Sequence, residues 1–293
     1  MDNMIRYMKE RYHTFSKGQK LIASYIMEHY DKAAFMTAAK LGEEVGVSES
    51  TVVRFAIELG YDGYPKLQKV LREVIKSKLT SAQRLEVSSS HIDTENVLKS
   101  VLQSDINKLK TTLEESDSSS FDAIVEEILK AEKIYILGVR SSAPLASFLG
   151  FYFNLIFENV RLVHTTSVSE MFEQIVNAKT GDVIIGISFP RYSKRTTKAM
   201  EFARNQGATV IAITDNASSP LAECASYSLY ARSDMASFVD SLVAPLSVIN
   251  ALIVAIGMKR KDKIHSTLEK LEMIWDEYQV YEKDDHYADL AHD

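Results

Sequence analysis

At 293 residues the chain is longer than a single hydrophobic core ordinarily serves, and it predicts two domains. Hydrophobic residues at 46%, charged residues at 25%, 11 Gly and 5 Pro exclude collagen-like and extensively disordered classes, and the single cysteine, Cys224, excludes an intrachain disulfide and fits a reducing compartment. The net charge of −6 is uneven: residues 1–80 hold 13 Lys+Arg against 10 Asp+Glu and the rest 21 against 30, so a mildly basic head precedes an acidic body, as suits a protein whose head alone meets phosphate.

Met1 to Glu10 mixes charges with apolar residues and has no secretory h-region. The first 80 residues read as helical. Ser16 and Gln19 form a capping box, followed by Leu21, Ile22, Tyr25 and Ile26 at helical spacing. A second helix is predicted from Ala38 to Val45, broken by Gly46-Val47-Ser48. Ser48 then caps a third, in which Val52, Phe55, Ala56 and Leu59 fall at i, i+3, i+4 and i+7 and Gly60 is the stop. After the turn Gly63-Tyr64-Pro65 a further helix runs from Lys66 to about Lys78. Residues 80–96 are polar and Ser-rich, a linker; Val97–Leu113 resumes helical periodicity; Ser116–Ser120 is a second polar break.

From Phe121 the pattern alternates. Ile134–Leu137, Val183–Ile187 and Val210–Ile213 are short apolar runs, and Arg161–Val163 and Tyr227–Tyr230 are weaker strands. Helix-length segments Ala143–Phe157 and Lys194–Gln206 follow the first two runs. Apolar strands with intervening helices predict a parallel sheet covered on both faces. Phe238–Gly257 and Asp262–Val280 read as closing helices, and Glu282–Asp293 as an acidic tail. Leu242–Gly257, the most apolar stretch, spans 16 residues and includes Pro245, Ser247 and Asn250. A membrane-spanning helix needs ~20 apolar residues, so the expectation is a buried helix in a cytoplasmic protein. The fold class expected is an all-helical head followed by a doubly wound, five-stranded parallel αβα sandwich.

Two short helices joined by a Gly-containing turn have helix-turn-helix geometry. Opposite its apolar face the third helix presents Ser50, Thr51, Arg54 and Glu58. Arg54 has the fork that matches guanine O6 and N7, and Ser48, Ser50 and Thr51 sit at the helix N-terminus, suited to base or phosphate contact. On spacing alone, a helical bundle with a solvated polar face stays equally open. The stretch from Phe15 to Leu67, above all Val45-Gly46-Val47-Ser48, Ser50-Thr51-Val52-Val53-Arg54-Phe55 and Leu59-Gly60-Tyr61-Asp62-Gly63-Tyr64, resembles the N-terminal domain of the RpiR/MurR family of bacterial regulators. That resemblance makes Glu49–Leu59 the recognition helix and implies operator contacts from Ser48, Glu49, Ser50, Thr51, Arg54 and Tyr64.

In doubly wound sheets ligands bind where loops leave the C-terminal strand ends. The loop Gly138-Val139-Arg140-Ser141-Ser142 leads to a helix with Pro144 in its first turn. The loop Ser188-Phe189-Pro190-Arg191-Tyr192-Ser193 leads to Lys194. Both offer hydroxyls, helix N-termini and cations for a phosphate, although Ser142 and Ser193 also read as plain N-caps. No G-x-G-x-x-G is present. Residues from about Lys133 to Arg232 are similar to the sugar isomerase (SIS) domain, most clearly in Gly181–Ser188 and Gly207–Asp215. The resemblance implies Ser141, Ser142, Ser188 and Ser193 as the phosphate-binding hydroxyls, and Arg140 and Arg191, the cations of the two loops, complete the expected effector-phosphate set. The second loop departs from the Ser-x-Ser-Gly-x-Thr frequent in SIS domains, lacking the internal Ser and Gly. A carboxylated or bulkier sugar phosphate fits that change.

Isomerisation needs a base of suitable pKa, for which Glu170, Glu173 and His164 are the candidates, each with an ordinary surface reading. Lys179, Lys194 and Lys198 are further contacts to weigh. The seven His lack metal-ligand spacing, so neither metal nor cofactor is expected. The reading is a non-enzymatic regulator of carbohydrate metabolism binding double-stranded operator DNA and a sugar phosphate, as a homodimer or homotetramer. A sugar-phosphate isomerase and a sugar-binding scaffold that meets protein are the alternatives. Phe238–Gly257, apolar nearly all round, packs either against a partner or within one subunit. The expected domains are 1–78 (DNA binding), 79–120 (linker and connecting helix), 121–281 (SIS) and 282–293 (tail).

Overall fold

Caps and apolar spacing set the N-terminal helices, as a computed structural model shows, describing residues 2–76, 80, 82–85, 96–164, 167–233 and 239–281. They are α1 (Asp2–Arg11), α2 (Lys17–Glu28), α3 (Tyr30–Ala33), α4 (Ala38–Val45), α5 (Glu49–Glu58) and α6 (Tyr64–Lys76). The Ser16–Gln19 box is formed in both directions ahead of α2; Thr37 caps α4 and Ser48 caps α5. Gly46, at φ 73°, closes α4 in the left-handed conformation that glycine adopts at least cost. Phe15, Ile22, Ile26, Leu41, Val52, Phe55, Leu67 and Leu71 form the core, with Phe15 edge-on to Phe55 at 5.4 Å. Each such side chain, fully buried, contributes ~1.5–3 kcal/mol. The helix after Gly63 begins at Tyr64, two residues earlier than the sequence suggests, because Pro65 is at home in a first turn.

Next come α7 (Val97–Glu115) and α8 (Ser118–Lys130), the second capped by Asp117. Five strands follow: β1 (Ile134–Gly138), β2 (Val160–Val163), β3 (Val183–Ile187), β4 (Thr209–Thr214) and β5 (Tyr227–Tyr230). All neighbours are parallel, in the order β2-β1-β3-β4-β5, with Gly138 opposite Ile187. β1 and β3 are buried throughout, which explains their uninterrupted apolar sequence. The flanking helices are α9 (Ala143–Ile156), α10 (Val168–Ile175), α11 (Lys194–Asn205), α12 (Pro220–Cys224), α13 (Val243–Lys259) and α14 (Lys261–Glu277). Gly186 lets α11 lie close on β3, since a Cβ there would meet Met200 Sδ at 2.0 Å.

The expected helix from Phe238 is corrected: α13 starts at Val243, residues 239–242 are not helical, and the helix runs past Gly257 to Lys259. Apolar residues in a connecting segment read like a first helical turn. The acidic tail 282–293, the stretch to Lys78, and most of the 80–96 linker lie outside the described residues.

The chain divides into two units. One comprises Met1–Glu114 together with Phe189–Tyr192 and Arg232–Ala244. The other comprises Glu115–Ser188, Ser193–Ala231 and Pro245 onward. Among the described residues no single helix is long and apolar enough to cross a membrane.

Candidate functional sites

In the first unit, α4, the Gly46 turn and α5 form a helix-turn-helix. Its tightness depends on Gly42, where a Cβ would lie 2.7 Å from the Val47 carbonyl oxygen. Val52, Phe55 and Ala56 bury one face of α5 and leave Ser50, Arg54, Ile57 and Glu58 exposed on the other. At its N-terminus Ser48 Oγ accepts from Thr51 N–H at 3.3 Å and lies 2.9 Å from Ser50 Oγ and 2.8 Å from Thr51 Oγ1. Arg54 folds back over this cluster, donating from Nε to the Ser50 carbonyl at 3.3 Å and from a terminal nitrogen to Thr51 Oγ1 at 3.5 Å. Side chains on a helix lean toward its N-terminus, so this placement is the ordinary one.

Ser48, Glu49, Ser50 and Arg54 are exposed, Thr51 is half-buried, and all five sit on one end of α5. Tyr64 does not join them. It is 3% exposed, and its hydroxyl lies 2.9 Å from the Met36 carbonyl and 3.2 Å from that of Ala33. Burial pushes its pKa up to about 12 against a smaller opposing pull from Arg72. Gln68 and Arg72, on the same face of α6, donate to the carbonyls of Met36 (2.6 Å) and Ala34 (3.0 Å), so Tyr64 belongs to a structural clamp on the end of α3.

Sequence reasoning missed the start of α2. Ser16, Gly18 and Gln19 line the same concavity as Val47, Ser48, Thr51 and Arg54. A Cβ on Gly18 would meet Thr51 Cγ2 at 3.3 Å, so a glycine beside a capping box was the available signal. Two helix N-termini, with Lys17 exposed on the first, therefore face one groove, a pairing suited to anionic backbone. Ile57, 57% exposed beside Arg54, is the apolar group on that face.

In the second unit, the strand order puts the topological switch point between β1 and β3, and the two loops singled out in the sequence leave there. The first is held tightly: a Cβ on Gly138 would lie 2.6 Å from the Ser142 carbonyl. Arg140 is exposed and occupies φ 56°, a left-handed conformation that costs a non-glycine residue ~1–2 kcal/mol. Ser141 is exposed and Ser142 is buried in a short 3-10 turn leading to α9, where Pro144 falls in the first turn. Ser142 does not cap α9 with its side chain, contrary to the sequence reading, because its backbone is already helical.

In the second loop Ser193 does cap α11, accepting from Thr196 N–H at 3.3 Å. Ser188, 4% exposed, accepts from Ser193 N–H at 3.0 Å and ties the two ends of the loop together. Each hydroxyl thus uses an acceptor lone pair internally and keeps its proton to donate, the role an acceptor-only phosphate requires. Arg140, Ser141, Ser142, Ser188 and Ser193 thereby gather on adjoining loops at the N-termini of α9 and α11. Arg191 is exposed in the second loop and falls within the first unit.

Glu170, Glu173 and His164 are exposed. Lys179 pairs with Glu132 at 2.7 Å, ahead of β3 and β1, at the N-terminal ends of these strands and opposite the end where the two loops leave. Lys194 and Lys198 are exposed on α11. Among the described residues no group of three or more His, Cys, Asp or Glu is placed to hold a metal ion.

Comparison with known proteins matches residues 2–78 to the helix-turn-helix domain of the rpiR family and residues 127–255 to the SIS domain. An uncharacterised HTH-type transcriptional regulator of Caldanaerobacter subterraneus subsp. tengcongensis is 26% identical over 277 residues, 92% of this chain and 95% of that protein. The sugar isomerase domain of an RpiR transcription factor from Sphaerobacter thermophilus superposes with a TM-score of 0.58 at 26% identity, covering 61% of this chain and 99% of that one. The Vibrio vulnificus NanR protein complexed with ManNAc-6P superposes with a TM-score of 0.55 at 22% identity, over 92% of this chain and 97% of that one.

Proposed function

From a chain that belongs to the rpiR family of helix-turn-helix transcriptional regulators, with a SIS domain behind its DNA-binding head, we propose a cytoplasmic regulator that reads operator DNA with α5 and answers to a phosphorylated sugar. Ser48, Glu49, Ser50, Thr51 and Arg54 make the operator contacts, and the start of α2 adds backbone contacts through Lys17. The effector's phosphate is held by Ser141, Ser142, Ser188 and Ser193, with Arg140 and Arg191 as its cations. The functional divisions are residues 1–78 for DNA, 79–120 for connection, 121–281 for effector and 282–293 as a tail.

One observation carries the effector half of this reading. Two hydroxyl-bearing loops, each running into a helix N-terminus, leave adjacent strands at the switch point of the sheet. A protein of the same fold, NanR, is complexed with ManNAc-6P, which supports a sugar phosphate as the ligand class. The site acts by binding alone: its donors are hydroxyls and amides, and the three candidate bases are exposed side chains outside the two loops. A second copy completes the regulator, since one recognition helix reads only a few base pairs.

The test is a thermal-shift screen of the full chain against sugar phosphates, followed by operator affinity with and without the hit. A ligand at 100 times its Kd stabilises by ~2.7 kcal/mol, readily seen as a rise in Tm. We expect Ser141→Ala with Ser188→Ala to keep operator binding while losing both the shift and the response. A double variant that still responds overturns the site; a chain that ignores its upstream promoter fragment overturns the regulator.

A further inference from the structure

α5 turns nearly all of its apolar side chains inward. Val52, Phe55 and Ala56 are buried in the core of the head, and Val53 packs against that core half-buried. Ile57 is the exception. It is 57% exposed, more than any other large apolar side chain among the described residues of the six head helices, where Leu21 at 47% and Tyr7 at 37% come next. Its position on the helix gives that exposure a meaning. Ser50, Arg54 and Ile57 stand at i, i+4 and i+7, in one line along the exposed face. Arg54 leans toward the helix N-terminus, donating to the Ser50 carbonyl at 3.3 Å and to Thr51 Oγ1 at 3.5 Å, so its charged head lies on the side away from Ile57.

We propose that Ile57 is a specificity-determining residue of α5 and that the group it reads is the C5-methyl of a thymine. This rests on the reading of α5 as the operator-recognition helix. In the major groove every base pair presents donors and acceptors, but the thymine methyl is the apolar group of that surface, the one that an alkyl side chain can cover without stranding a polar atom. Phosphates and sugars give a branched hydrocarbon no such partner. The register relative to Arg54 follows from the helix. Three residues advance along its axis by ~4.5 Å, against ~3.4 Å between successive base pairs, so the thymine falls within about two base pairs of the guanine that Arg54 takes. The half-site therefore pairs a base read by hydrogen bonds with a near neighbour read by apolar contact. Withdrawing one methyl from water is worth about fourfold in affinity.

The test uses the full chain as wild type, Ile57→Ala, Ile57→Val and Arg54→Ala, and as probe a duplex selected by the wild-type chain from a random-sequence library. In that duplex each guanine is replaced in turn by 7-deazaguanine, which lacks the N7 acceptor, and each thymine by uracil, which lacks only the methyl. The guanine whose replacement weakens wild type but not Arg54→Ala marks the base that Arg54 takes. Within about two base pairs of it, one thymine should cost wild type about fourfold on losing its methyl. Ile57→Ala should bind the thymine and uracil forms alike, within about 1.5-fold, whereas Ile57→Val keeps a branched end and should retain a preference of about twofold or more. Both variants should melt with wild type, since the side chain is exposed. A lower-melting Ile57→Ala would make Ile57 a packing residue and overturn the assignment. So would the absence of a methyl-sensitive thymine near the marked guanine, or an Ile57→Ala chain that keeps the wild-type preference, as it would if Ile57 docked protein; each leaves α5 as the recognition helix. A chain that enriches no duplex, or in which no guanine answers to Arg54, is the distinct case in which the recognition reading fails and takes this inference with it.

Discussion

Arg54 and Tyr64 look alike as candidates in the sequence and separate in the structure. Arg54 is exposed, held only by weak bonds to its own helix, and able to swing onto a base edge. Tyr64 is buried with its hydroxyl between two carbonyls. Arg54→Ala should weaken operator binding by about 1–3 kcal/mol at unchanged Tm. Tyr64→Phe should instead lower stability by ~0.5–1.5 kcal/mol by removing the hydroxyl's own bond, since Gln68 still donates to the Met36 carbonyl and Met36 N–H to that of Ala33. The second effect has a pH signature. The folded pKa is raised from 10.0 to about 12, so the neutral phenol is the form the fold favours. The wild-type advantage over Tyr64→Phe is therefore complete below pH 10 and is lost as pH rises through about 12. Paired urea melts across that range check it; a gap that widens with pH contradicts the placement of Tyr64.

At the scale of elements, two glycines in one helix-turn-helix act for different reasons, and substitution should separate them. Gly42 leaves room for the Val47 carbonyl, against which a Cβ would lie at 2.7 Å, so Gly42→Ala must push α5 away from α4. We expect ~1–3 kcal/mol of lost stability together with weakened operator binding, because the element that moves is the one reading DNA. Gly46 has nothing within 4 Å of its missing Cβ, and only φ 73° resists a side chain. Gly46→Ala should cost ~1–2 kcal/mol of stability and spare affinity in the residual folded fraction. Denaturant melts beside fluorescence anisotropy distinguish the two. The same contrast marks what the sequence could reveal. Apolar runs such as Val183–Ile187 and capping residues such as Ser16 and Ser48 act locally, so their elements were legible. Contacts between distant segments were not: Tyr64 on the end of α3, Gly18 against Thr51, and Asp240 on Arg84 leave no periodic trace. The loops after β1 and β3 could be picked from composition, but their adjacency comes from strand order, which no local pattern encodes. Val239 to Leu242 misled because apolar residues in a connection resemble those of a helix turn.

At the scale of the whole molecule, the question is what covers the apolar surface that one chain leaves open. α13 has an inner face of Ile249, Leu252 and Ile256, fully buried, and an outer face with Val254 59% and Met258 76% exposed. One face of this helix therefore packs within the chain, and the other is left exposed. Along α14 and its C-cap apolar residues recur at Ile264, Leu268, Leu271, Trp275 and Tyr278, the spacing of a packing seam, yet none is buried. Phe151 on α9, 63% exposed, adds to this surface. Solvated apolar area of this kind favours association, and a two-fold dimer is the commonest way to satisfy it. Light scattering at micromolar concentration should give at least twice the chain mass of 33.0 kDa, and Met258→Glu with Met273→Glu should shift the chain toward monomer. A dimer also constrains its DNA. Two recognition helices reach half-sites about 34 Å apart, one turn of duplex, so both must face the same side. Inserting about 5 base pairs between the half-sites turns one away and should cost at least tenfold in affinity, whereas about 10 restores the facing and costs less. Equal loss from both insertions would mean that the heads bind independently, and the dimer would then have no part in operator recognition.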